Sequence, residues 1–120
     1  MTDGAKAVEG LVVRVAGVQR YLPIASVIEV LREVNIIRVP GAVAAVLGMV
    51  NHRGRVIAVA DARQALELIG DPTTGRDIVV VQWRERRFGV AVDAVVELMG
   101  EARTGLAEID LDRIAAAVFA

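Results

Sequence analysis

The chain has 120 residues, a formal net charge of −1 and 55% apolar residues besides 11 glycines, which predicts one well-packed domain and excludes disorder. It has no cysteine, one histidine and 3% aromatic residues, so disulfides, multi-ligand metal sites, cofactors and nucleic-acid partners are not expected. The longest uncharged stretch, 39–52, is shorter than the roughly 20 residues that cross a bilayer, and the N-terminus lacks the layout of a secretion signal, so we expect a cytoplasmic protein without membrane insertion.

The first apolar segment predicts a β-hairpin. Valine and isoleucine dominate the run 11–24, and Gly17 stands at its centre, where a tight turn needs backbone freedom. The next run, 26–39, fits a helical face and an extended one, and its β-branched content favours a short turn followed by a strand. Pro40 and Gly41 then interrupt the chain.

A second strand, turn and strand are predicted between residues 42 and 60, with the polar group 51–54 as the turn. Asp61 then precedes apolar residues at helical spacing, so we expect it to cap a short helix that ends at Gly70. From Gly70 to Arg76 the chain collects turn-forming residues. This stretch predicts the boundary between two halves.

The two halves resemble each other in sequence. An offset of 67 residues pairs positions of like type: Leu11 with Ile78, Arg20 with Arg87, and Tyr21 with Phe88. With one extra residue, “VIEV” from Val27 matches “VVEL” from Val95, and Asp61 matches Asp110. We therefore predict a single, mainly β domain (1–120) of two pseudo-repeated subdomains, 11–70 and 77–120, which share one core of Val, Ile and Leu.

Catalytic motifs are weak in this sequence. The only serine, Ser26, the only histidine, His52, and Asp61 could form a hydrolase triad, but no motif supports that triad. A small hydrolase using His52 with Asp61 is therefore the least favoured hypothesis. We expect His52 to be an exposed turn residue and Asp93 to organise a turn.

Five motifs resemble, in order and spacing, the CheW-like family, the adaptor domains of bacterial chemosensory arrays. They are “VIEVLR” from Val27, “IIRVPG” from Ile36, “GMVNHRG” from Gly48, “VADAR” from Val59 and “VDAVVEL” from Val92. The resemblance implies two SH3-like β-barrels around a common hydrophobic core, with short helices. It also implies a non-catalytic scaffold that bridges chemoreceptor cytoplasmic tips to the regulatory domain of the histidine kinase CheA.

The resemblance further implies roles for individual residues. A receptor-facing groove would be formed by seven residues, the last of them at its rim: Val27, Glu29, Ile37, Val39, Val46, Met49 and Arg53. Asn51 and Gly54 would hold the hairpin, and Asp61 and Asp93 would be structural. Such an apolar groove would accept a helical hairpin, while the rim charge would set register and association rate more than affinity.

Ala60 and Ala62 in “VADAR” are smaller than the residues often found there in the family, and two further departures from the family pattern bear on binding. His52 stands where the family usually has leucine, so an apolar contact is lost or made pH-sensitive. The stretch 100–108 is short, so the second barrel is expected to lack a strand and to leave an open edge. That edge puts kinase binding through the second half in doubt and makes a self-associating scaffold, a homo-oligomer, the alternative hypothesis.

Overall fold

The computed structural model describes residues 8–70, 77–100 and 105–119, which form nine strands and two α-helices. The elements of the first half are β1 (Val8–Val15), β2 (Val18–Pro23), β3 (Val27–Arg32), β4 (Val46–His52), β5 (Arg55–Asp61) and α1 (Ala62–Ala65). Those of the second half are β6 (Asp77–Trp83), β7 (Arg86–Val92), β8 (Ala94–Gly100), β9 (Ala107–Glu108) and α2 (Leu111–Phe119). The prediction of a mainly β fold with short helices is confirmed.

The strands form two sheets that exchange strands between the halves of the chain. The first sheet has the order β8-β1-β2-β9, and the second has the order β3-β6-β7-β5-β4. Strand β3, from the first half, pairs with β6, while β8, from the second half, pairs with β1. The two halves predicted from the sequence therefore correspond to the two copies of the repeat, but each sheet contains strands from both halves. Most of the predicted boundary, 71–76, lies outside the described residues.

The strand register shows that the repeat has an offset of 68 residues. The pair Val27 and Val81 in one sheet corresponds to the pair Val95 and Val13 in the other. The turn residues Ala16 and Arg84, also 68 apart, both have φ above +50°. The predicted offset of 67 for the hairpins is therefore wrong by one residue, and such a slip moves every side chain to the opposite face.

The main core lies between the two sheets. It contains Leu11, Val13 and Leu22 from the first sheet and Phe88 and Val90 from the second, together with residues of both helices. This core confirms the predicted shared packing of the halves. Both faces of β6 are buried, because its alternate residues also contribute to another core.

The other core lies on the opposite face of the second sheet. Its buried members are Val50, Ile57, Val59, Ile78, Val80 and Ala91, which come from β4 to β7. Ile28 and Leu31 of β3 pack against it, although β3 and β4 are the two edges of this sheet. The sheet therefore curls until its edges approach the same apolar cluster.

Local structure agrees with most of the predicted elements. The segment that begins at Val27 is a strand, and the helix after Asp61 is present, with the carboxylate accepting hydrogen bonds from the backbone of Arg63 and Gln64. This helix, however, ends at Ala65 and not at Gly70. The chain leaves the helix early because Glu67 adopts a left-handed conformation, with φ +55°.

The second half of the chain has fewer strand residues after β8 than the first half has after β3. Strand β9 has two residues and pairs in parallel with β2, as the seven-residue β5 pairs with β7. Within the described residues, the first sheet has no counterpart of β4. Residues 101–104 of the short stretch lie outside the described ranges. None of the helices in those ranges is long and apolar enough to span a bilayer.

Candidate protein-binding site

A loop segment lies against the outer edge of β4. Ile37 and Met49 exchange two backbone hydrogen bonds, each 2.8 Å long, and form an isolated antiparallel bridge. Gly48 permits this approach, since a Cβ atom there would clash with the Ile37 carbonyl oxygen. The glycine of the predicted motif thus brings the 35–39 segment onto the hairpin.

The bridge creates an apolar strip across three chain segments. Met49 pairs with Ile37 on one side and with Ala58 of β5 on the other, so the three side chains share one face. Val56 lies two residues along β5 on the same face. We call Ile37, Met49, Val56 and Ala58 the Ile37 strip. Ile37 is 68% exposed and Val56 is 64% exposed, so the strip is open to solvent.

Arg53 stands in the tight turn at the end of this hairpin. Both turn residues, Arg53 and Gly54, have positive φ, at 52° and 81°. The Asn51 side-chain oxygen accepts a hydrogen bond of 2.9 Å from the Gly54 backbone, which ties the turn together. The guanidinium Nε of Arg53 lies 3.0 Å from Oε1 of Glu29, yet 70% of the Arg53 side chain remains exposed.

His52 is buried, which corrects the expectation of an exposed turn residue. It is only 2% exposed, because β4 continues through His52 and directs the ring to the same face as Val50. There Nε2 of His52 donates to Oε1 of Glu29 over 2.6 Å, and Nη1 of Arg87 donates to Nδ1 over 3.4 Å. The ring is enclosed by β3 on one side and by β7 on the other.

These partners set the hydrogen-bond roles of His52 and the charge of Glu29. A guanidinium can only donate, so Nδ1 of His52 accepts from Arg87 and Nε2 donates to Glu29. The hydrogen bond from His52 lowers the pKa of Glu29, and the charge of Arg53 acts in the same direction against partial desolvation of the carboxyl group. Glu29 is therefore held as an anion that links the two edge strands of the second sheet.

The geometry does not assemble a hydrolytic triad. Asp61 lies six residues beyond the partner of His52 along β5, which is about 20 Å at the rise of a strand. Its carboxylate caps α1 at 3.0 Å and 3.4 Å from the Arg63 and Gln64 nitrogens. Both ring nitrogens of His52 already have partners. His52 and Asp61, the residues of the hydrolase hypothesis, therefore have structural roles.

The remaining predicted residues occupy several environments. Val39 is 44% exposed, Val46 is half-buried, and Val27 packs against the main core. Asp93 accepts a hydrogen bond of 3.1 Å from the backbone of Gly17. The structure therefore brings Glu29 to Arg53, and Ile37 to Met49, whereas Val27 faces the interior.

Sequence reasoning missed three residues of this region. Val56 and Ala58 complete the Ile37 strip, and their alternation with the buried Ile57 and Val59 could have indicated an exposed strand face. Arg87 ends the basic run “RERR” from Arg84, and no local signal in that run predicts its contact with His52, 35 residues earlier.

A family model for the CheW-like domain matches residues 9–104. The chain belongs to the CheW-like domain family. This CheW-like domain is similar to the scaffolding protein TtCheW from Thermoanaerobacter tengcongensis, whose crystal structure it matches with 27% identity and a TM-score of 0.70. The match covers 78% of this chain and 66% of that one, so the chain spans somewhat under two thirds of the scaffold's length. No curated protein matches the sequence.

Family membership determines the class of function. The CheW-like family consists of non-catalytic adaptors of chemotaxis signalling, and this chain carries its domain. The family match includes the β4–β5 hairpin with Arg53, the strand β3 with Glu29, and most of both sheets. The functional question is therefore which surface of the domain each partner uses.

Proposed function

We propose that this domain acts in the cytoplasm, where it couples the cytoplasmic tips of chemoreceptors to the regulatory domain of a CheA-type histidine kinase. The observation that carries the proposal is the Ile37 strip, an exposed apolar face at the hairpin whose turn carries Arg53, which is paired with Glu29. The sequence of the strip and the turn contains the family motifs from Ile36 and Gly48. The receptor tip, a helical hairpin, is the proposed occupant of the strip.

The physical basis is recognition of a helix by an apolar face with a charged rim. Burial of Ile37 and Val56 removes apolar surface from water and supplies most of the affinity, at about 25 cal/mol per Å². Exposed ion pairs contribute little by themselves. Arg53 instead sets the register of the helix and the association rate, because Glu29 holds its side chain before the partner arrives.

Binding of a receptor-tip fragment to the full chain tests the receptor half of the proposal. Ile37→Asp places a charge in the apolar contact, and Arg53→Glu reverses the rim charge, so each should reduce binding at least tenfold. Circular dichroism should remain unchanged, since both side chains are exposed. Arg14→Glu, which reverses an exposed charge on the first sheet, is the matched control and should bind normally. Normal binding by both Ile37→Asp and Arg53→Glu would show that the receptor tip does not bind this surface.

The kinase half of the proposal needs a separate measurement. A pull-down that combines the domain, a receptor tip and the regulatory domain of a CheA-type kinase should recover all three proteins. Recovery of the receptor without the kinase domain would restrict the domain to receptor binding and would implicate its shortened second half.

A second candidate function is self-association through the first sheet. The observation that favours it is the two-residue β9, which stands where the second sheet has the seven-residue strands β5 and β4. Such an edge offers backbone groups to another chain. Light scattering at micromolar concentration tests this candidate: a dimer that persists on dilution supports it, and a clean monomer contradicts it.

A further inference from the structure

Three of the four aromatic side chains of this protein meet at the β6–β7 turn. Trp83 stacks on Phe119 of α2, with ring centroids 6.3 Å apart and planes at 13°. Phe119 also packs edge to face against the buried Phe88, at 5.6 Å. The indole N–H of Trp83 donates to Oδ1 of Asp112 over 2.7 Å. The rings are therefore anchored to the core on one side and to α2 on the other.

Two arginines place their guanidinium groups over these rings. The guanidinium carbon of Arg84 is 4.5 Å from the centroid of Trp83, and that of Arg86 is 4.4 Å from the centroid of Phe119. Both arginines are exposed. Together with Glu85 they line an open cleft of about 510 Å³. We call Trp83, Arg84, Arg86 and Phe119 the Trp83 cluster.

The guanidinium edges of the Trp83 cluster have no acidic partner within residues 8–70, 77–100 and 105–119. Arg32, Arg53 and Arg113 each form an ion pair with a carboxylate in the same ranges, but Arg84 and Arg86 form none. The third arginine of this basic run, Arg87, alternates to the other face of β7 and donates to His52. The run therefore separates into one internal arginine and two that are held outward.

We propose that the Trp83 cluster is a second docking surface, distinct from the Ile37 strip, and that it binds an acidic segment of a partner protein. A guanidinium stacked through its face keeps its N–H edge available, and that edge matches a carboxylate in a bidentate pair. Stacking also removes much of the side-chain freedom that binding would otherwise cost. Trp and Arg are the residue types most enriched among those that dominate interface energies.

The neighbouring acidic groups favour carboxylates over phosphates or an anionic membrane. Glu85 stands between the two arginines in the turn, and Asp112 contacts Trp83. These fixed negative charges repel a dianionic phosphate or a densely charged lipid surface more strongly than they repel separate single carboxylates. The ring edges additionally offer apolar contact to the aliphatic stems of Asp and Glu side chains.

The single tryptophan supplies the readout for the test. Hexaglutamate is titrated into the full chain at low salt, and Trp83 emission and calorimetry report binding. We expect saturable binding that weakens at least tenfold in the variant that combines Arg84→Gln with Arg86→Gln. Replacing both by lysine keeps the charge but loses the planar fork, and should also weaken binding. The control Arg14→Gln removes one exposed positive charge from β1 and should change the affinity less than twofold.

Three outcomes would overturn the proposal. The first is an absence of hexaglutamate binding to the unsubstituted chain. The second is an equal loss of binding in the double variant and in Arg14→Gln, which would indicate a general charge effect. The third is binding to phosphatidylserine vesicles or to inorganic phosphate that depends on Arg84 and Arg86 and is tighter than binding to hexaglutamate. Circular dichroism of each variant confirms that a loss of binding is not a loss of fold.

Discussion

The two sheets of this domain are built on one plan and differ in one element. At an offset of 68 residues, β1, β2 and β3 correspond to β6, β7 and β8, and the pair of Glu29 with Val80 corresponds to that of Glu97 with Val12. Among the described residues, only the second sheet adds the full β4–β5 hairpin. Arg53 and three residues of the Ile37 strip lie on that hairpin, and Ile37 is bridged to it through Met49. The duplicated frame thus supports the fold, while the extra hairpin presents the proposed receptor surface.

The comparison also shows why Glu29 and its counterpart differ in role. Both glutamates follow a bulge on a strand that has crossed to the other sheet. Glu29 meets the hairpin through His52 and Arg53, whereas Glu97 is exposed on a strand that has no such hairpin opposite it among the described residues. The unrepeated element therefore turns an ordinary position of the frame into part of a buried polar network.

The largest expected effect comes from the core that both sheets share. Leu22 of the first sheet and Val90 of the second are fully buried counterparts in that core. Leu22→Ala should destabilise the domain by about 2–5 kcal/mol. Urea unfolding is followed by Trp83 fluorescence, which reports the second sheet, and by circular dichroism. The midpoints from the two signals should shift by the same amount. A Trp83 midpoint that stays at its unsubstituted value would mean that the two sheets unfold separately.

A smaller effect is expected where the unrepeated hairpin meets the 35–39 segment. In Gly48→Ala the new methyl group would press on the Ile37 carbonyl oxygen, so the Ile37–Met49 bridge must open, at a cost of about 1–3 kcal/mol. Receptor-tip binding should be lost while the main core remains folded. Val43→Ala alters an exposed residue of the same loop and serves as the control. Retained binding in Gly48→Ala would show that the bridge does not build the surface.

The Glu29 network predicts that the stability of the domain depends on pH. The folded-state pKa of Glu29 lies below its ordinary value of 4.5, so ionised Glu29 stabilises the fold. This contribution is complete above that ordinary value and disappears as the pH falls through the lowered pKa. The free energy of unfolding of Glu29→Gln should therefore fall short of the unsubstituted value at pH 7, and the difference should shrink in acid. Glu97→Gln should keep the part of the free energy of unfolding that is lost in acid. If that part were missing in Glu97→Gln, it would come from Glu97 and not from Glu29.

Much of the architecture could be predicted from local sequence signals. Gly17 and the pair Arg53 and Gly54 mark tight turns, and Asp61 marks the start of a helix, because each depends on a conformational preference that acts over a few residues. The repeat was visible as well, although its offset was one residue too short. Consecutive valines in strands buried on both faces hide which residue faces which core, so composition could not decide the register.

The contacts that define the site depend on distant parts of the chain. His52 follows Asn51 and precedes Gly54, so its neighbours suggest a turn, yet the turn uses only two residues. Its burial comes from Glu29, 23 residues earlier, and Arg87, 35 residues later. These contacts form because the second sheet curls and brings β3 towards β4. A resemblance to a family can predict that Glu29 and Arg53 matter, but the enclosure of His52 requires the three-dimensional structure.

The smallest expected effect concerns the two helix caps, the last matched pair of the repeat. Asp61 accepts from the Arg63 nitrogen at 3.0 Å, and Asp110 accepts from the Arg113 nitrogen at 3.1 Å. Asp61 ends β5 and Asp110 follows β9, the parallel strand of the other sheet. Asp61→Ala and Asp110→Ala should each cost about 1 kcal/mol, measured as the shift of the urea midpoint. Asparagine also caps helices, so Asp61→Asn and Asp110→Asn should retain most of the stability. A cost in one half alone would mean that the caps, unlike the strands around them, have diverged in role.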